Sequence, residues 1–406
     1  MQVIAASNTK GGFMAIVVSA LKEAAGENRV ALTPDTAAKL IKSDFEVSIE
    51  KGAGEKAFYN DDLYAKAGVK LVTRTEALKA DIVTVVNEPS EAVLSKLSQG
   101  QTIIGMLNPL GDKKGMQQLA KAGVSALAFE LLPRTVSRAQ NLDANSSQKS
   151  IAGYKAALLA ADTYPQYFPM MMTAAGTARP AKVLVIGAAV AGLQAIGTAH
   201  RLGAVVSGYD IREDARGQIE SLGAKALISK VQVKDENGYA RALNDDEKQA
   251  QQAELEGFIA ENNVIITTAQ VPGGKPPVVV SKKAVDEAKA DTVFIDLGSS
   301  KLGGNVAGSQ PGETIVTKTG AIIVGAGDLA SRVARSASDM YAKNVQNTIN
   351  YIVKDGQIHF DLDDDVLTDL LATYGGQINS NFLRSRMGME KRPVQPKQEQ
   401  GAEEEK

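Results

Sequence analysis

The chain has no cysteine and only two histidines in its 406 residues. Without thiols there can be no disulfide and no thiolate metal site. His200 and His359 are too few for a histidine-rich metal centre, and they argue against a Ser-His-Asp triad. No metal site is expected. The net charge is only -2, so the basic face that a general nucleic-acid binder needs is missing. Long apolar runs are scarce as well. The run in "FMAIVVSALKEA" spans about five residues, short of the ~7–15 of a secretory signal, and charge follows at once. It reads as a first buried strand. Residues 183–199, "VLVIGAAVAGLQAIGTA", come close to a membrane span in length. Gln194 and Thr198 interrupt them, and a β-branched run precedes an Ala/Gly run, which fits a strand followed by a packed helix.

With 44% hydrophobic and 23% charged residues, the composition is that of an ordinary globular protein. The length exceeds what one core usually organises, so two domains are expected. Short β-rich runs alternate with helical patterns. Strands are expected at 15–19, 45–50, 81–86, 101–107 and 124–130, and again at 182–187, 204–210, 263–269, 292–298 and 321–327. Residues 33–42 read as a helix with Thr33 as N-cap and Pro34 at its first position. Residues 112–123 read as another. This alternation predicts an α/β protein with two doubly wound, Rossmann-like domains, mainly parallel sheets and long connecting helices. The expected division is a first, discontinuous domain of 14–145 plus 335–385 and a second of 146–334. Long helices at 146–164 and 331–353 join them. Residues 1–13 form an N-terminal extension, and 386–406, polar and ending acidic, a disordered tail. "PMMM" at 169–172 reads as apolar packing, and the carboxylates of "DLDDDV" at 361–366 as a solvated turn.

The stretch "VIGAAVAG" at 185–192 carries the chemistry. Gly187 and Gly192 hold the first and last places of a G-x-G-x-x-G turn, while the middle place is Ala189. A strand enters and a helix leaves. The next strand ends in Asp210, 23 positions after Gly187. Gly187 permits the tight turn, Gly192 the close approach of helix to sheet, and the helix N-terminus suits a pyrophosphate. Asp210 can accept from ribose hydroxyls and disfavours a 2′-phosphate, which points to NAD(H) rather than NADP(H). The same residues also suit a packing turn, and the methyl of Ala189 does not decide between the two.

Longer stretches carry a resemblance. "ELLPRTVSRAQNLDANSSQKSIAGYKA" at 130–156, residues 168–206, "ENGYAR" at 236–241, "TTAQVPGGKPP" at 267–277, "ENRVALTP" at 27–34 and "DLGSSKLGGN" at 296–305 resemble the NAD(H)-binding component of proton-translocating NAD(P) transhydrogenase. The alanine dehydrogenases are similar in fold. The resemblance implies Re/Si-specific hydride transfer from NADH here to NADP⁺ on a partner. It implies a homodimer that works with an NADP(H)-binding beta component and membrane subunits, at a cytoplasmic, membrane-peripheral location. It places Arg134, Gln140, Asp143 and Ser146 beside the nicotinamide, with Gln140 reaching toward the partner's nucleotide. Val190, Ile211 and Arg212 would line the nucleotide beside Asp210, and Gly238, Tyr239 and Gln270 would close over it. "PRTVSRAQ" carries one residue more than the family pattern, so either Arg134 or Arg138 could take the nicotinamide-side place. "VPGGKPP" carries an extra glycine. Two other activities stay open: a stand-alone amino-acid dehydrogenase, and a non-catalytic NAD(H)-binding module. The first wants a Lys/His substrate pair. The resemblance puts Thr84 at the lysine position, and no histidine lies near "IIGMLNPL".

Overall fold

The computed structural model describes residues 9–10, 13–233, 235–236, 239–240 and 243–392. Two twisted sheets carry the chain. The first contains β1 (Val17–Ala20), β2 (Glu46–Glu50), β3 (Lys70–Val72), β4 (Ile82–Thr84), β5 (Thr102–Gly105) and β6 (Ser125–Ala128). The second contains β7 (Lys182–Ile186), β8 (Val205–Arg212), β9 (Lys225–Val233), β10 (Val264–Thr267), β11 (Val293–Asp296), β12 (Thr314–Val316) and β13 (Ile322–Gly325). The chain then returns to the first sheet with β14 (Leu371–Tyr374) and β15 (Gln377–Ile378).

The strand orders are β15-β14-β6-β5-β4-β1-β2-β3 and β9-β8-β7-β10-β11-β13-β12. Strands β1 to β6 pair in parallel, as do β7 to β11 and β13. Strands β12, β14 and β15 pair antiparallel at the edges. The central strands are apolar on both faces because helices cover both: β4, β5, β10 and β11 are buried at every position. Each sheet reverses its order once, between β1 and β4 and between β7 and β10. In such sheets ligands sit at that reversal, beyond the carboxyl ends of the strands.

Two long helices tie the halves together. Helix α1 (Ala144–Thr163) leads into the second sheet and α2 (Val190–Arg201) follows β7. Helix α3 (Ala334–Ile352) carries the chain back, and its Tyr341, Val345 and Ile349 belong to the first sheet's core. Helices α1 and α3 are cross-braced: Gln148 Nε2 donates to Ala337 O at 3.1 Å and Ser147 Oγ to Asn344 Oδ1 at 2.9 Å.

Three expectations need correction. Met170 and Met172 are 59% and 75% exposed, at the start of a hairpin that pairs Met171–Thr173 with Gly176–Ala178. Apolar composition suggests packing, but this hairpin stands off both cores. The second concerns the carboxylates at 361–366. Asp364 is engaged rather than merely solvated: it accepts from the N–H groups of Val366 and Leu367 and from Tyr351 Oη at 2.7 Å. Third, residues 387–392, expected in the tail, hydrogen-bond back: Arg392 N donates to Asn381 Oδ1 and Arg384 Nε to Glu390 O.

Candidate dinucleotide site

The glycine turn sits at the second sheet's reversal. Gly187 follows β7 with φ of +96°, and a Cβ there would lie 2.5 Å from Thr268 Oγ1. Both the left-handed backbone and the contact require glycine. At Gly192 a Cβ would lie 1.7 Å from Gly187 O, so the first turn of α2 presses directly on the glycine turn. Ala189 differs. Its φ of -83° and ψ of -168° are extended backbone open to any residue, and it is exposed. Its methyl therefore strains nothing. Ala189 caps α2 with no side-chain hydrogen bond, which leaves the amide end of the helix for an anion. Val190, half-buried, opens the helix.

Helix α1 is drawn onto this turn. A Cβ on Gly153 would lie 2.0 Å from Ala191 O, and Ser150 Oγ donates to Gln194 Oε1 at 3.2 Å. From Gly153 back to Ser146 is about 10 Å along the helix. The loop before α1 is thereby held at a fixed offset from the glycine turn. Asp143 is the N-cap of α1: Oδ1 accepts from Ser146 N at 2.8 Å and Oδ2 from Ser146 Oγ at 2.5 Å. Gln140 is exposed on the 3₁₀ segment Ser137–Leu142. The extra residue of "PRTVSRAQ" is absorbed in a turn closed by Val136 N to Pro133 O, which leaves Arg134 half-buried. Arg138 is committed elsewhere. Its guanidinium bonds Asp364 at 3.2 Å, Asp365 and the hydroxyl of Tyr351.

Asp210 lies at the end of β8. Oδ2 accepts from Ala188 N at 2.7 Å and Oδ1 from Arg212 N at 2.9 Å. The Arg212 guanidinium reaches both oxygens, each at 3.2 Å. Ile211 is half-buried between them. Gln270, exposed beyond β10, donates to Leu297 O at 3.2 Å. Gly238 lies outside the described residues. Tyr239 lies in the short strand Tyr239–Ala240, and its side chain lies outside them.

The first sheet's reversal is built differently. No glycine turn follows β1. Glu23 instead fills the crevice, accepting from Val86 N at 2.7 Å and Asn87 N at 3.2 Å beyond β4. Burial pushes its carboxyl up to about 7 against those donors. Tyr341 of α3 closes the crevice from above, donating to Val85 O. Beside it, Arg29 is buried and fully engaged. Nε and Nη2 bond Glu27 at 2.8 and 2.7 Å, and Nη1 bonds Gln148 at 2.9 Å. Burial pushes Glu27 upward, but Arg29 outweighs it and holds the carboxylate below its usual range. Thr84 is buried, donating to Ser19 O.

Between the sheets a cleft is lined by Gly26 and Asn28 on one side and by Ser299, Gly325, Gly327 and Asp328 on the other. The loop after β10 reaches across: a Cβ on Gly273, which has φ of +65°, would lie 2.3 Å from Leu110 Cβ. So the extra glycine of "VPGGKPP" is where the second half's loop touches the first half's. Asn305 braces that loop's base, its Nδ2 donating to Ala269 O and Pro277 O, both at 2.8 Å. Sequence reasoning missed Glu23, the Glu27–Arg29–Gln148 cluster and Asn305. Only the pair Glu27/Arg29 leaves a local signal, two opposite charges two positions apart. The other partners are distant in sequence.

A doubly wound sheet with a glycine turn, an open helix N-terminus and a strand-terminal aspartate defines a Rossmann-type dinucleotide fold. Comparison with known proteins narrows the class. The alanine dehydrogenase/PNT N-terminal domain matches residues 20–152 and the C-terminal domain residues 156–381. A Rickettsia prowazekii protein, named as the first part of a split NAD(P) transhydrogenase subunit alpha, is 39% identical, over 91% of this chain and 97% of its own length. The crystal structure of a transhydrogenase from Sinorhizobium meliloti superposes with a TM-score of 0.79 at 38% identity, covering 89% of this chain and 99% of that one. Alanine dehydrogenase 1 of Staphylococcus aureus is more distant, at 26% identity over 91% of this chain and 95% of its own. The chain belongs to the alanine dehydrogenase/PNT family, within its NAD(P) transhydrogenase alpha-subunit branch. The two matched domains divide inside α1, and the second runs on through α3 to the strands that rejoin the first sheet.

Proposed function

We propose that this chain is the NAD(H)-binding component of a Re/Si-specific, proton-translocating transhydrogenase. It passes hydride directly between NADH held here and NADP⁺ held on a partner component. The observation that carries the proposal is the glycine turn with Asp210 anchored to its Ala188 N–H. Gly187, Ala189, Val190 and Gly192 seat the pyrophosphate at the N-terminus of α2. Asp210, flanked by Ile211 and Arg212, takes the adenosine ribose. Arg134, Asp143 and Ser146 hold the nicotinamide and its carboxamide, Gln270 borders the cleft, and Gln140 extends toward the partner's nucleotide. Gly238 and Tyr239 close over the nucleotide. Of the two arginines, Arg138 is held by Asp364 and Asp365, which favours Arg134. Bound NADH supplies the hydride. The chain's own part is to orient the ring and exclude water.

The partners are the NADP(H)-binding beta component, the membrane subunits and a second copy of this chain, with the component cytoplasmic and peripheral to the membrane. Among the described residues no helix is long and apolar enough to cross a membrane, which accords with membrane subunits on other chains. The exposed methionine hairpin offers an apolar surface for the second copy. A stand-alone amino-acid dehydrogenase is disfavoured. Arg29 already has a carboxylate of its own in Glu27, and buried Thr84 offers no cation to a keto acid. Titration with NADH is expected to show saturable binding that Asp210→Ala weakens at least about tenfold, with no turnover of pyruvate and ammonia. Absent NADH binding, or amino-acid dehydrogenase turnover, would contradict the proposal.

A further inference from the structure

The Asp210 carboxylate has no vacancy. A carboxylate offers about four lone-pair positions, and four N–H groups fill them. Oδ1 takes Arg212 N at 2.9 Å and Arg212 Nε at 3.2 Å. Oδ2 takes Ala188 N at 2.7 Å and Arg212 Nη2 at 3.2 Å. The two backbone donors are fixed by the glycine turn and by the bulge at 210–212, where the register of β8 on β9 shifts. The two guanidinium donors are longer and sit on a side chain that can rotate away. Arg212 Nη2 also reaches Ala188 O at 3.3 Å, which holds the guanidinium across the mouth of the turn. Both side chains are about nine-tenths buried, so solvent screens the pair little.

We infer that Arg212 is an intramolecular competitor for the ribose subsite, a specificity-determining residue that occupies Asp210 until the nucleotide's 2′,3′-diol displaces it. This rests on the NAD(H) reading of the site given above. Two consequences follow from charge. Each hydroxyl of the diol replaces one guanidinium N–H, so NADH binding must work against the ion pair. While the pair is formed, the arginine also offsets the negative charge with which Asp210 repels a 2′-phosphate. Removing the guanidinium should therefore tighten NADH binding and sharpen rejection of NADPH together. An arginine that instead contacts the nucleotide would show the opposite, with NADH binding weakened on its loss.

The test is direct titration of the purified full chain with NADH and with NADPH, comparing the native protein with Arg212→Met, which keeps the length and removes every donor. The expected result is NADH binding up to about tenfold tighter in Arg212→Met, with a wider gap between NADH and NADPH. Unchanged or weaker NADH binding in Arg212→Met, with the native chain binding normally, overturns the inference alone. A native chain that binds no NADH overturns the NAD(H) reading and the inference with it. If Arg212→Met does not fold, Arg212→Lys serves. Its single ammonium cannot span both oxygens, so NADH should bind more tightly than to the native chain, and equal or weaker binding again overturns the inference.

Discussion

At Gly192 the first methyl of a side chain would fall almost on Gly187 O. Gly192→Val should cost about 3 kcal/mol of stability and displace the glycine turn, read as a lower Tm and loss of NADH binding. A native Tm in that variant would mean that the helix does not press on the turn. Glu23 gives a pH signature. Its carboxyl rises from an ordinary 4.5 to about 7 on folding because it is buried. The folded chain therefore holds this proton more tightly than the unfolded one. The stabilisation is complete below about pH 4.5 and is lost as pH rises through about 7. Between pH 5 and 8 the native chain should lose on the order of 1–2 kcal/mol relative to Glu23→Gln, measured by denaturant unfolding of both across that range. Parallel pH profiles would show that Glu23 is already ionised in its crevice.

Among the elements, α1 meets α2 closely through Gly153. Gly153→Leu should force the helices apart and lower the Tm by several degrees, with weaker NADH binding because the nicotinamide-side loop moves with α1. The loop bearing Gly273 is a milder case. Gly273→Ala meets both a left-handed backbone and Leu110, and it should cost about 1 kcal/mol while raising susceptibility of the 271–277 loop to proteolysis. Full resistance would mean the loop re-seats without the contact. The strands of both sheet centres were legible in the sequence because burial on two faces leaves continuous apolar runs, as in "VLVI" and "NVIITTA". The edge strands Lys70–Val72 and Lys225–Val233 were not, since each pairs with one neighbour only and keeps exposed polar positions. The helix Asp245–Ala260 buries only Leu255 and Ile259, so its sequence shows no apolar stripe to read. In the site, Gly187, Gly192 and Asp210 announce themselves by spacing, because turn geometry is local. The four-fold filling of Asp210 and the Glu23 plug depend on groups brought together by the fold, and no spacing encodes them.

Across the whole molecule, two doubly wound sheets meet at a cleft, yet of their two reversals only that of the second sheet carries a glycine turn. The other is plugged by Glu23 and Tyr341, so the dinucleotide has one reversal to occupy. The exposed methionine hairpin bears on assembly. Met172→Asp should shift the chain toward monomer in sedimentation, with NADH binding per chain unchanged; an unaltered sedimentation coefficient would move the dimer contact elsewhere. Hydride transfer itself is tested most directly by mixing the purified chain with a purified NADP(H)-binding transhydrogenase component and following transfer from NADH to bound NADP⁺. The expected result is transfer that needs both components and collapses in Gln140→Asn. Bound NADH with no transfer to the partner would contradict the assignment.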